Sequence, residues 1–308
     1  MKAARIGLLL LLVAAVCSAA APRKQTPKAR ILPGVEILEE VEIGTGGGRT
    51  LHAKIARPKD PPVTPMPAVL WIHGGGWSGG SHKNNRAEWL ATNGFFTASI
   101  EYRLSGEAKW PAQIEDCKLG VRWLRANAAK YNVNPDRIGC WGSSAGGHLV
   151  ACLGTMDDPQ FEGKGGFEGV SSRVQAVVDY CGPADMTTGS GGVQGASDDQ
   201  DAPALLGLFG VPFKENPALW RQGSPITHVK AGAPPFLIVH GDKDKTVPLG
   251  HSEKLAAALK KAGVPVELIV VKGGGHNMSA PAGEPPAVPD SAALLEAVRQ
   301  FFEKHLRK

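Results

Sequence analysis

The segment Arg137-Ile138-Gly139-Cys140-Trp141-Gly142-Ser143-Ser144-Ala145-Gly146-Gly147-His148-Leu149 sets a serine between two apolar runs and surrounds it with glycine. Asn134-Pro135-Asp136 ahead of it is a turn signal, so 137–141 read as a buried strand and 144–155 as a helix. Gly142-Ser143-Ser144-Ala145-Gly146 then fits G-x-S-x-G in the strand-turn-helix context that gives the pattern meaning. A turn that tight lifts its middle residue onto a strained corner, and side chains two positions to either side would strike the neighbouring backbone, so glycine is needed there. Ser144 comes to stand at a helix N-terminus, where backbone N–H groups favour developing negative charge. An ordinary glycine-rich turn explains the pentapeptide alone; the flanking elements make Ser144 a candidate nucleophile.

Outward from this segment, strand and helix alternate. Residues 35–43 and 51–57 read as paired strands around Gly44–Gly48, and 68–72 and 95–101 as compact apolar strands suited to burial on both faces. A helix opens at Pro111 and runs to about Tyr131, and further strands are expected at 174–180, 236–240 and 266–271, with helices at 249–262 and 291–306. Eight strands interleaved with helices of this length call for an α/β fold, a mostly parallel sheet covered on both faces, with its sites at the carboxyl ends of the strands. Residues 182–234 break the rhythm: 189–201 are rich in Gly, Ser and Asp, and 202–220 are apolar and partly helical, which reads as an insertion over the active-site edge of the sheet within one domain, 35–308.

Two more motifs fall at strand ends. His73-Gly74-Gly75-Gly76-Trp77 follows the strand 68–72, and its glycines let the backbone approach a ligand and aim N–H groups inward. With the Ala145 amide, such groups can stabilise the oxyanion of an acyl transfer; the rival reading, a phosphate cradle, lacks the G-K-[ST] that would follow it. His240-Gly241-Asp242-Lys243-Asp244 begins at the end of one strand, and Gly273-Gly274-Gly275-His276 just past the end of the next. The chain order is thus Ser144, acid, His276. Asp242 and Asp244 compete for the acid; Asp244 is preferred because its loop position can reach across to His276. His148, one turn past Ser144, is expected to pack beneath the nucleophile and His240 to brace its turn, while Asp116, Asp179 and Asp185 are read as structural.

Composition narrows the remaining classes. Of 34 Lys and Arg, six lie in residues 1–30 with no acid among them, leaving 28 basic against 29 acidic residues; the excess of positive charge is not a nucleic-acid footprint. Lys2 and Arg5 precede the apolar run 6–16, and Ser18-Ala19-Ala20 supply the small residues of a cleavage site, so 1–20 read as a signal peptide and 21–34 as a basic, proline-containing linker. The run is short for a bilayer span, and the mature chain is expected to be secreted or periplasmic. Cys117, Cys140, Cys152 and Cys181 show no metal-ligand spacing; in an exported chain they allow three disulfide connectivities, and their apolar surroundings suit buried thiols equally well.

With these elements in place the chain resembles α/β-hydrolases over nearly all of its length after residue 30, sharing their Ser, acid, His order. His73–Trp77, Tyr102-Arg103-Leu104, Trp110–Cys117 and Gly142–Leu149 resemble the secreted esterases grouped with bifunctional acetylxylan and feruloyl esterases, the BD-FAE type. His73–Gly76 is also similar to the hormone-sensitive-lipase-like branch, from which the chain departs in carrying Ser143 where that branch has Asp and in lacking room for its N-terminal cap. The resemblance implies Ser144 as nucleophile, His276 as base, Asp244 as its orienting acid, the Gly75, Gly76 and Ala145 amides as oxyanion donors, and Trp77 as a wall of the acyl pocket. It implies no cofactor, no metal and a small-molecule or polysaccharide ester as substrate, with a lipase-like or general carboxylesterase as the alternative. A noncatalytic binding module on the same fold is the alternative of another class; such modules commonly lose a triad member, and here all three are present.

Overall fold

The computed structural model describes residues 32–188 and 202–307. The expected signal peptide, the linker up to residue 31 and the polar stretch 189–201 lie outside the described residues. One sheet contains β1 (Val35–Gly46), β2 (Arg49–Pro58), β3 (Met66–Ile72), β4 (Phe96–Ile100), β5 (Val133–Ser143), β6 (Ala176–Tyr180), β7 (Phe236–Gly241) and β8 (Val266–Val271), in the spatial order β1-β2-β4-β3-β5-β6-β7-β8. The β1–β2 and β2–β4 pairings are antiparallel, and every pairing from β4 to β8 is parallel.

Side-chain alternation along the central strands divides the core in two. Met66, Ala68, Leu70 and Ile72 of β3 face one cluster while Val69 and Trp71 face the other, and β5 does the same with Ile138 and Cys140 against Trp141. Helices α1 (Ala112–Ala126), α2 (Ala145–Thr155) and α5 (Gly250–Lys261) cover the first face, contributing Ile114, Leu149 and Leu255 among others. Helix α6 (Ser291–Leu306) covers the second with Leu294, Val298, Phe302 and Leu306, a helical spacing that keeps one stripe inward. Its start is set by Asp290, whose carboxylate accepts the Ala293 N–H at 2.8 Å.

Several strand ends shift by one to three residues, and two boundaries differ from expectation by more. Helix α1 stops at Ala126, five residues short of Tyr131, where Asn127 leaves helical geometry at φ −101° and ψ 14° and both its backbone N–H and its side chain donate to the Trp123 carbonyl, at 3.0 and 2.8 Å. Strand β5 starts at Val133, opposite Met66, rather than at Arg137. Between β6 and β7 the chain forms α3 (Pro203–Phe209), α4 (Pro217–Gln222) and a 3-10 turn at Pro225–His228. Leu205, Leu208, Phe209 and Trp220 from this stretch join the first core cluster, with Phe209 stacked on Trp220 at 4.7 Å between ring centroids. Cys117, Cys140, Cys152 and Cys181 are all buried free thiols, so the disulfide reading gives way to the packing one. Among the described residues no helix is long and apolar enough to cross a membrane.

Candidate active site

Strand β5 runs directly into α2, and Ser144 is the residue at the corner, with φ 57° and ψ −122°. This strained conformation is held by its neighbours: the Ser144 N–H donates to the Tyr180 carbonyl at 2.8 Å, and the Ser144 carbonyl accepts the His148 N–H at 2.9 Å. The two outer glycines have the steric role expected of them. A Cβ on Gly142 would lie 2.2 Å from the Gly146 carbonyl oxygen, and one on Gly146 would lie 2.1 Å from that of Ile72.

The three loops at the carboxyl ends of β5, β7 and β8 bring Ser144, Asp244 and His276 into one chain of hydrogen bonds. The Ser144 hydroxyl donates to His276 Nε2 at 3.0 Å, and His276 Nδ1–H donates to Asp244 Oδ2 at 2.7 Å. The Asp244 side chain is fully buried, whereas that of His276 is 30% exposed. The other carboxylate oxygen of Asp244 accepts the Thr246 and Val247 amides at 2.7 and 2.9 Å. Burial alone would raise the Asp244 pKa, but hydrogen bonds from His240, His276 and the Val247 amide outweigh it and hold the carboxyl well below the ordinary carboxylate range. A permanently ionised acid fixes the proton of His276 on Nδ1 and leaves Nε2 free to take a proton from Ser144. Asp242, the competing acid, instead accepts the Gly273 amide at 2.7 Å.

The glycine loop after β3 stands beside the serine: a Cβ on Gly74 would be 3.3 Å from Ser144 Cβ. Gly75, Gly76 and Trp77 all have positive φ, and the amides of Gly75, Gly76 and Ala145 donate to no protein acceptor among the described residues. Such amides are available to a ligand oxygen. The loop is braced from behind, where His73 stacks on Tyr102 at 4.3 Å and the Tyr102 hydroxyl donates to the His73 carbonyl at 3.0 Å. Trp77 is buried, and its indole N–H is spent on His148 Nδ1 at 3.2 Å.

Three side chains matter more to this site than their sequence context indicated. His148, buried one turn past the nucleophile, joins three segments, accepting from Trp77 and with its Nε2–H donating to the Gly223 carbonyl at 2.8 Å. His240 is fully buried, donates from Nε2 to the Val247 carbonyl at 2.8 Å and stands 3.3 Å from Asp244 Oδ2, so the turn it braces is the one that carries the acid. Its place at the last turn of a strand before Gly-Asp was the only available signal. Asp179, at the end of β6, is wholly buried; one oxygen accepts the Gly182 amide at 2.9 Å and the other has no partner among the described residues. Burial, partly offset by that amide, pushes its pKa up to about 7.

A serine at a strand-to-helix corner after β5, an acid after β7 and a histidine after β8, on a sheet of this strand order, define an α/β-hydrolase. The family model described as BD-FAE matches residues 54–259, and the chain belongs to that family. Among curated relatives it is 32% identical over 229 residues to Esterase LipQ and 35% identical over 221 residues to the probable carboxylic ester hydrolase LipM, both of Mycobacterium tuberculosis (strain ATCC 25618 / H37Rv). These alignments cover 73% and 70% of this chain but 53% and 50% of the relatives, so the chain spans about half their length. Among solved structures, a truncated form of a carbohydrate esterase from gut microbiota matches with a TM-score of 0.75 at 30% identity, covering 89% of this chain and 97% of that one. Thermogutta terrifontis esterase 2 phosphorylated by paraoxon matches with a TM-score of 0.69 at 26% identity, covering 91% of this chain and 97% of that one.

Proposed function

We propose that this protein is an exported serine carboxylic-ester hydrolase that works through an acyl-enzyme, with short acyl or feruloyl esters of polysaccharides as its substrates. The observation that carries the reading is the unbroken hydrogen-bond chain from Ser144 through His276 to the ionised Asp244. In the proposed reaction His276 Nε2 takes the Ser144 proton as Oγ attacks the ester carbonyl, and the Gly75, Gly76 and Ala145 amides receive the developing oxyanion. The imidazolium returns the proton to the departing alcohol, and a water activated by the same imidazole then releases the acid and frees Ser144.

The preference for short acyl groups is supported by the way the insertion spends its apolar residues. Leu205, Leu208, Phe209 and Trp220 are committed to the core and do not offer an open apolar tunnel. The first turn of α3 also sits close to the glycine loop, since a Cβ on Gly76 would be 3.8 Å from Ala204 Cβ. The polysaccharide preference is supported by the family and by the likeness to a carbohydrate esterase, and export by the composition of residues 1–20.

The test is a rate comparison on p-nitrophenyl acetate, butyrate and decanoate, followed by acetic and ferulic acid release from decorated xylan, with a covalent organophosphate as probe of Ser144. Acetate above decanoate, release from xylan and labelling at Ser144 are expected. A maximum at decanoate with no release from xylan moves the protein to a lipase-like activity, and failure to label with no turnover removes the enzyme reading.

A further inference from the structure

Behind the proposed relay lies a thiol that ester hydrolysis does not use. Cys181, directly after β6, is buried with φ 47°, and its S–H donates to the His276 carbonyl oxygen at 3.4 Å. One ligand atom each from Cys181, Asp244 and His276 can be chosen so that all lie within 4.8 Å of one another. We propose that these three residues form an inhibitory site for a borderline-soft divalent cation, with Zn2+ as its representative.

The donor set is the reason for that choice of ion. Thiolate sulfur, imidazole nitrogen and carboxylate oxygen together are ligands that Zn2+ accepts in a four-coordinate site, whereas Mg2+ and Ca2+ select oxygen donors. Bond lengths to zinc of about 2.0–2.3 Å place tetrahedral ligands about 3.3–3.8 Å apart, so the widest separation, within 4.8 Å, closes by roughly 1 Å while Asp244 Oδ2 and His276 Nδ1, now 2.7 Å apart, open by about half an ångström. Asp244 is anchored by two backbone amides and Cys181 by burial, which leaves the half-exposed His276 loop as the part that closes on the ion. A fourth position stays open to water.

The chemistry balances with no oxidant or reductant. The Cys181 S–H proton is released to solvent as sulfur takes the metal. The His276 proton moves from Nδ1 to Nε2 as Nδ1 becomes a ligand. With Nε2 protonated, the ring presents a donor to Ser144 and cannot accept its proton, and Asp244 holds the ion in place of the imidazole. The cation therefore stops proton transfer while leaving Ser144 in place.

The inhibition arm of the test rests on the ester-hydrolase reading; a second arm does not. Wild-type protein and the variants Cys181→Ser and Cys181→Ala are titrated with Zn2+ and Mg2+ during p-nitrophenyl acetate hydrolysis, each rate taken relative to that protein's own metal-free rate. Separately, Co2+ is added and the thiolate-to-cobalt charge-transfer absorption recorded, which requires no turnover. The expected result is inhibition of the wild type by Zn2+ and not Mg2+, reversed by chelator. Each Cys181 variant should need about 10-fold more Zn2+ or higher for half-inhibition, and the cobalt band should appear in the wild type alone. Equal Zn2+ sensitivity in wild type and both variants, no sensitivity in any, or no cobalt band in the folded wild type each overturns the proposal. A cobalt band without measurable hydrolysis upholds the metal site and sets the ester reading aside.

Discussion

The indole N–H of Trp77 donates to Nδ1 of His148 at 3.2 Å, with the two rings edge to face at 5.3 Å. Trp77 belongs to the glycine loop after β3, and His148 to the first turn of the helix that starts at Ser144, so this contact fixes the spacing between the proposed oxyanion donors and the nucleophile. The other ring nitrogen reaches Gly223, which ties the insertion to the same point. A ring that accepts at Nδ1 is neutral, and burial, only partly offset by the Gly223 carbonyl, pulls the His148 pKa down to about 4.

Replacing His148 by Leu leaves a buried indole N–H and a buried carbonyl without partners. The expected loss is about 2–4 kcal/mol of unfolding free energy, read from urea denaturation, together with a fall in kcat that exceeds any change in KM. His148→Gln, which can accept at one atom and donate at another, should recover part of both. Equal behaviour of the Leu and Gln variants would show that volume rather than hydrogen bonding matters at this position.

Ser144→Ala should fold normally and lose hydrolysis by about 10³-fold or more, because only positioning and oxyanion binding remain. Hydrolysis of p-nitrophenyl acetate and organophosphate labelling measure this together. Activity within tenfold of the wild type would remove Ser144 from the reaction.

The two neighbouring acids should separate cleanly. Asp244→Asn loses the ionised partner of His276 and should reduce kcat by about 10³–10⁴-fold. Asp242→Asn keeps an oxygen to accept the Gly273 amide and should change kcat by less than about fivefold, in line with a surface substitution that preserves its contact. Steady-state kinetics on the two variants decides the assignment, and the reverse order would transfer the acid to Asp242.

Asp179 makes a prediction about stability and pH. Its pKa rises on folding from an ordinary 3.8 to about 7, so well below pH 3.8 the group is neutral in both states and imposes no penalty. As pH rises through that window the unfolded chain ionises first, and the folded state loses stability by at most ~4 kcal/mol. Asp179→Asn retains the acceptor for Gly182 and removes the ionisation, so its gain in melting temperature should be larger at pH 8 than at pH 4.5. The same gain at both values would mean that the carboxyl titrates alike in the folded and unfolded chain, so that folding does not raise its pKa.

The arrangement of β5, its turn and α2 was legible from residues 137–155 because the forces that specify it act locally: an apolar strand, a corner too crowded for any Cβ at 142 or 146, and a helix beginning at once. The α/β class followed for the same reason, since the alternation of strand and helix is written in short-range hydrophobic spacing. The end of α1 is not legible in the apolar pattern, which continues to Tyr131, because the backbone leaves helical geometry at Asn127, whose side chain caps the Trp123 carbonyl. What the tertiary structure decided lies across long separations. Ser144 and His276 meet over 132 residues, His148 reaches Trp77 and Gly223 over 71 and 75, and only the assembled sheet puts Asp244 rather than Asp242 under His276. The free state of the four cysteines and the burial of Asp179 and His240 belong to the same class. Periodicity and turn chemistry specify what each segment becomes, whereas the meeting of distant side chains depends on burial of two core faces at once, a free energy that no single segment carries.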